Sequence, residues 1–176
     1  MTEKDLFCLL ESWDNFNLIL LQLENQPEDI SDLMKFALYN NHPNSWRAIY
    51  LADKIHEKQP DLIQPYIEEI IEQLKSEKHH GKRRHFLKLV SLNHVSAQHF
   101  GFLVDHCITT FTSAKEPIAN RVHAMQILYN ISDAEPELKP ELLEIIQHEI
   151  EFHPTPGIRS RGTKLAKKLQ KQINKN

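Results

Sequence analysis

The sequence predicts an all-α protein of stacked helix pairs, and three observations carry that prediction. Its 176 residues include 39 Leu and Ile but only 4 Val and 4 Gly, whereas a β-rich fold draws on Val, Thr and turn glycines. Apolar residues recur at i, i+3, i+4 and i+7 in almost every segment, the spacing of one helical face. Pro or a short polar turn separates each segment from the next.

Residues 3–25 carry two such sets, Leu6, Leu9, Leu10, Trp13 and then Phe16, Ile19, Leu20, Leu23, with a break expected at Ser12–Asn15. Pro27 opens a helix to about Asn40 that turns Ile30, Leu33, Met34 and Ala37 inward. After the turn Asn41-His42-Pro43-Asn44, Asn44 or Ser45 can cap a helix to about Lys58. Pro60 and Pro65 stand at the start of a helix over 61–77, where a missing N–H costs little. Further helices are expected at 82–93, at 97–113 capped by Ser96, at 117–132, at 137–152 and at 158–173.

The segments repeat with a step of 38 residues. Ala48, Leu51, Ala52 and Ile55 map onto Phe86, Leu89, Val90 and Asn93, then onto Ala124, Ile127, Leu128 and Ile131. A third step reaches Gly162, Leu165, Ala166 and Leu169. The alternate helices take the same step through Leu62, Phe100, Leu138, through Tyr66, Val104, Leu142, and through Ile70, Ile108, Ile146. The second helices open with Arg three residues before a small core residue, as in Pro117-Ile-Ala-Asn-Arg121-Val-His-Ala124 and Pro156-Gly-Ile-Arg159-Ser-Arg-Gly162, with Arg83 at the equivalent place. The first copy departs from this, having Ser45 there and Arg47 just before Ala48.

In these features the chain resembles the HEAT-repeat (armadillo-like) family. The resemblance covers about 27–173 and implies a right-handed α-α superhelix, with one α-solenoid domain over 1–176. Residues 1–26 would form an N-terminal cap on helix-pair repeats at 27–58, 61–93, 97–132 and 137–173. The unit is slightly shorter than the usual ~40–47 residues. Such a motif specifies a fold better than a function.

The resemblance also gives the charge a meaning. In HEAT-like solenoids the second helices line the concave face. Here those four helices hold 14 Lys and Arg against Asp53, Glu57 and Glu116, a balance of +11. The first helices hold 3 Lys against 14 Asp and Glu, so the chain's net −3 hides two layers of opposite sign. With 48, 51, 52 and 55 inward, positions 46, 50, 53 and 57 are expected to face outward. The candidate partner-binding face is therefore Trp46, Arg47, Tyr50, Arg84, Lys88, Tyr129, Arg161, Lys164 and Lys167. Cations interleaved with aromatics suit phosphates and stacked bases; equally, the aromatics can pack between repeats while the lysines solvate a face. The last helix, with no acidic residue after Glu151, also reads as an ordinary soluble end cap.

Chemistry of other kinds finds little support. The four glycines are isolated, so no phosphate loop forms, and no Ser nucleophile elbow occurs. Eleven histidines include His79-His80, His94/His99 and His148/His153, none at i, i+4, and no metal or cofactor is expected. His85 and His123 share one register on a helix flank, where a pH-sensitive contact between repeats could form. Cys107 reads as a buried thiol, and Cys8 neighbours the apolar Leu9 and Leu10. Two distant cysteines and a charged start, Thr2-Glu3-Lys4-Asp5, fit a cytoplasmic protein without a signal peptide. No apolar run of about 18 residues predicts a membrane span.

Some HEAT-like proteins are DNA glycosylases acting on alkylated bases, with aromatics and an Asp in a basic cleft. Trp46, Asp53 and Arg84 resemble these ingredients in type, without a residue-by-residue match. The expectation is a non-catalytic binding or scaffold module whose basic layer holds a protein or acidic segment. The alternative is a nucleic-acid-binding protein related to those glycosylases.

Overall fold

The computed structural model describes Leu6 and residues 11–175. The start of the helix expected from residue 3, with Cys8, Leu9 and Leu10, lies outside the described residues. The described residues form nine α-helices and no strand: α1 (Phe16–Asn25), α2 (Ile30–Tyr39), α3 (Trp46–Lys58), α4 (Ile67–Leu74), α5 (His80–Leu92), α6 (Phe100–Thr112), α7 (Ile118–Ala134), α8 (Lys139–Phe152) and α9 (Pro156–Ile173). The expected break before α1 is a 3-10 turn at Trp13–Asn15, where the Ser12 hydroxyl accepts from the Asp14 N–H.

Proline sets most of the helix starts. Pro27, Pro60 and Pro136 open 3-10 turns, and Pro156 is the first residue of α9, all places where no N–H is required. The helix predicted over 61–77 is shorter than expected. Two 3-10 turns, Pro60–Leu62 and Gln64–Tyr66, precede α4. Pro65 explains this: it has no N–H for the carbonyl of Asp61 and its ring crowds that carbonyl, so an α-turn cannot form there. Capping differs from expectation as well. Neither Ser45 nor Ser96 makes a side-chain cap bond. The caps that form are His79, whose Nδ1 accepts from the N–H groups of Gly81 and Lys82, and Thr155, which accepts from Ile158.

Contacts divide the chain into two compact units, 1–94 and 95–176. In the first unit α2 packs on α3, α4 on α5, and the second helices α3 and α5 pack on each other, with α1 against α3. In the second unit α6 packs on α7, α8 on α9, and α7 on α9. Each unit thus holds two helix pairs joined through their second helices.

The 38-residue register holds on the second helices. Residues 48, 49, 51, 52, 53, 55 and 56 of α3 are buried, and so are all seven equivalents in α7: Ala124, Met125, Ile127, Leu128, Tyr129, Ile131 and Ser132. In α5 the matching Phe86, Leu87, Leu89, Val90 and Ser91 are buried, and in α9 Gly162, Leu165 and Leu169 are. On the first helices the expected stripe holds at Ile70, Leu142 and Ile146, which are buried, but is displaced elsewhere in α4 and α6. Ile63, Ile67, Ile71 and Leu74 are buried, followed by His99, Leu103, Cys107 and Thr110, a step of 36 rather than 38. Leu62, Tyr66, Phe100, Val104 and Ile108 are only half-buried.

Candidate anion-binding groove

A second helix in a stack has three contact sides: its own first helix and the second helices on either flank. The expectation that position 53 faces solvent overlooked the flanks. Asp53 is 2 % exposed and Tyr129 8 %, so within each unit this column forms the seam between its two second helices. Asp53 and Tyr129 are therefore corrections to the predicted outward face. Lys167, in the same column of α9, is exposed.

In the first unit the seam consumes the predicted cations. His85 Nδ1–H donates to Asp53 Oδ2 at 3.0 Å, and Lys88 Nζ lies 2.7 Å from Asp53 Oδ1 and 3.1 Å from Glu57 Oε1. Burial alone would push the Asp53 carboxyl up, but the hydrogen bonds from His85 and Lys88, and the Lys88 charge, outweigh it and hold the carboxyl below its ordinary value. For Lys88 the sign is opposite. Desolvation pulls its ammonium down, and the bonds to Asp53 and Glu57 raise it above the usual lysine value. Lys54 pairs with Glu57 at 2.8 Å and Lys58 with Glu24 at 2.6 Å.

The aromatics of this unit are packed together. Trp46 and Tyr50 lie 5.6 and 5.7 Å, ring to ring, from Trp13, and Tyr50 also meets Phe16 at 5.1 Å and His85 at 5.3 Å. The Arg47 guanidinium sits over the Trp13 ring at 4.8 Å and donates to the Glu11 carbonyl at 2.9 Å. Of the five site residues predicted in this unit, only Arg84 is exposed. The glycosylase-like grouping of Trp46, Asp53 and Arg84 is not brought together as a cleft: Trp46 packs on Trp13, and Asp53 is enclosed by His85 and Lys88.

Two further second-helix cations are structural. Arg121 is buried, with Nε–H donating to the Phe111 carbonyl at 2.8 Å and Nη2 to Glu149 Oε2 at 2.7 Å. Lys82 is buried and donates to the Asn40 carbonyl at 3.0 Å, and its desolvation pulls the ammonium below its ordinary value despite Glu77 at 3.7 Å.

The second unit differs. Helix α9 carries Arg159, Arg161, Lys164, Lys167, Lys168 and Lys171 with no acidic residue. Five of these, Arg161, Lys164, Lys167, Lys168 and Lys171, line an open groove of about 500 Å³ with Gln126 of α7. All five are exposed, and none is ion-paired with a described residue. Arg161 donates to Gln126 Oε1 at 2.6 Å, and the Lys168 ammonium lies 5.6 Å from the Tyr129 ring centre. The Tyr129 hydroxyl accepts from Gln172 at 3.3 Å, and burial raises its pKa above the usual tyrosine value. Lys168 and Lys171, which the sequence reading left out of the site, follow from helix spacing: they stand four and seven residues after Lys164. A second groove of about 570 Å³ beside α2 mixes Asp32 and Lys35 with Phe36 and Tyr39, and it gathers no single charge sign.

Among the described residues no helix is long and apolar enough to cross a membrane. No match was found among curated proteins or among solved structures. The family model of the HEAT repeat domain matches residues 11–169. With helix pairs, a 38-residue register on the second helices and a buried Arg121 at the opening of α7, the chain belongs to the HEAT-repeat family.

Proposed function

We propose that this protein is a non-catalytic, cytoplasmic binding module that holds an acidic polypeptide segment in the α7–α9 groove. HEAT repeats generally act as protein-interaction scaffolds, and one observation carries the finer reading: five exposed cations converge on one groove with no carboxylate among its lining residues. Such a cluster sets up a positive potential that concentrates an anionic partner. A polypeptide suits it better than nucleic acid because no aromatic is among the groove's lining residues, and the nearby Tyr129 is buried beside Lys168, where it cannot stack a base.

Fluorescence anisotropy with a labelled oligoglutamate peptide and a labelled oligonucleotide of similar charge, at ~50 and ~200 mM salt, tests this. The expected result is salt-sensitive peptide binding that Lys164→Glu/Lys168→Glu abolishes and Arg84→Glu leaves intact. Peptide binding that survives the double reversal removes the groove from the proposal. Tighter binding of the oligonucleotide than of the peptide would replace it with the nucleic-acid alternative.

A further inference from the structure

We propose a divalent transition-metal site at the C-terminal end of α8, formed by His148, Glu149 and His153 and suited to Zn²⁺. It is independent of the basic groove. One ligand atom from each of the three residues lies within 4.8 Å of the other two. The sequence hides the site because residues five apart do not share a helical face. The structure resolves this at the helix end. α8 stops at Phe152, and His153, its C-cap, still donates its N–H to the Glu149 carbonyl at 3.1 Å and stands four residues after Glu149, which brings its ring to that carboxylate.

The distances fit coordination. His148 Nδ1 lies 3.4 Å from Glu149 Oε1, and His153 Nδ1 lies 3.2 Å from Oε2. Ligands about 2.0–2.2 Å from a tetrahedral Zn²⁺ stand about 3.3–3.6 Å from each other. Each imidazole therefore already stands at nearly the spacing from the carboxylate that a shared cation requires, and the three ligand atoms lie within 4.8 Å of one another. Two imidazoles and one carboxylate are a borderline donor set, chosen by zinc-like ions rather than by Mg²⁺ or Ca²⁺, which prefer all-oxygen sites.

The surroundings hold the ligands in place. Glu149 is 2 % exposed and fixed by Arg121, which takes one carboxylate oxygen at 2.7 Å, as an outer partner orients a ligating carboxylate. His148 stacks on Phe152 at 4.7 Å between ring centres. The two imidazoles are 57 % and 45 % exposed, so an ion can reach them and water can complete its coordination. Helix polarity adds to this, since the unpaired carbonyls at the end of α8 favour a cation. The Arg121 charge opposes binding and keeps the site one of moderate affinity.

The test is calorimetric titration of the full chain with Zn²⁺ in a non-chelating buffer, beside His148→Ala, His153→Ala and the double variant. The expected result is one saturable site per chain, weakened at least ~10-fold in each single variant and lost in the double. Both histidines are largely exposed, and thermal unfolding in a chelator verifies that the variants keep the fold. Paramagnetic Co²⁺ gives the same answer without substitution, by broadening the ring resonances of His148 and His153 first. Absence of saturable binding, an unchanged site in the double variant, or first broadening at other histidines overturns the proposal.

Discussion

The Arg121–Glu149 pair gives the sharpest test of how the second unit is held. Both side chains are buried, at 4 % and 3 % exposure, and the guanidinium also satisfies the Phe111 carbonyl at the end of α6. That carbonyl lies in the last turn of α6, where it has no partner within the helix. Arg121 thus ties three helices, α6, α7 and α8, through two bonds of 2.7–2.8 Å. Arg121→Met leaves a buried carboxylate facing two exposed histidines, plus an orphaned carbonyl, and is expected to cost about 3–5 kcal/mol. Glu149→Leu leaves the cation with one carbonyl and costs a similar amount. The double variant removes both charges and leaves only the carbonyl unsatisfied, a loss of about 1–3 kcal/mol. The cycle should therefore show a coupling of at least about 2 kcal/mol. Urea unfolding measures the totals, and hydrogen exchange at α6 and α8 amides keeps the readout within the second unit. Single losses below about 1 kcal/mol that simply add would refute the buried-pair argument.

Asp53→Asn should destabilise the first unit by about 1–3 kcal/mol at neutral pH. Because the folded carboxyl sits below its ordinary value, that stabilisation is full above about pH 4 and fades as pH falls through the folded value, so wild type and variant should converge in acid unfolding curves. Gly162→Ala should lower stability by about 1 kcal/mol despite the better helix former, since its Cβ would stand 3.0 Å from Ile150 Cδ1 and 3.3 Å from Ile146 Cγ2. Gly101→Ala, with nothing within 4 Å of the new methyl, should raise it by about 0.5–1 kcal/mol; thermal melts of the two variants compare directly. In a Cys8→Ser background, Cys107 should resist a thiol reagent until the chain unfolds, because burial pushes its thiol far up; fast labelling of the native chain would contradict this.

The second-helix core was legible because its apolar stripe keeps one register, and Ala48, Phe86, Ala124 and Gly162 recur at a fixed step. The first helices resist the same treatment. Pro65 shortens α4 to eight residues, and its inward set begins at Ile63 and Ile67 rather than at Leu62 and Tyr66. Seam residues such as Asp53 and Tyr129 could not be separated from surface residues by amphipathicity, since a polar or aromatic side chain suits either place. A pairwise signal was present: Asp53 and Lys88 are 35 residues apart, near one repeat length, and of opposite charge. The His153–Glu149 contact was legible too, since the two stand at i,i+4, but pairing histidines only with histidines passes over it.

The basic groove follows from one difference between two equivalent seams. Position 53 is Asp in the first unit and position 129 is Tyr in the second, and each meets the following second helix. The carboxylate of Asp53 draws in Lys88, whereas the neutral phenol of Tyr129 leaves Lys164, one double step beyond Lys88, without an anionic partner. The same stack geometry thus gives a neutralised seam in one unit and a charged groove in the other. Supplying an acid at this seam should therefore close the difference. Gln126→Glu is nearly isosteric and keeps the 2.6 Å contact with Arg161, turning it into an ion pair. One added negative charge about 7 Å from a bound carboxylate, at an effective dielectric of about 40, opposes binding by about 1 kcal/mol. The oligoglutamate peptide should then bind about fivefold more weakly at low salt, with less difference at high salt. Unchanged affinity in Gln126→Glu, with the fold intact, would mean that the peptide does not occupy the α7–α9 groove.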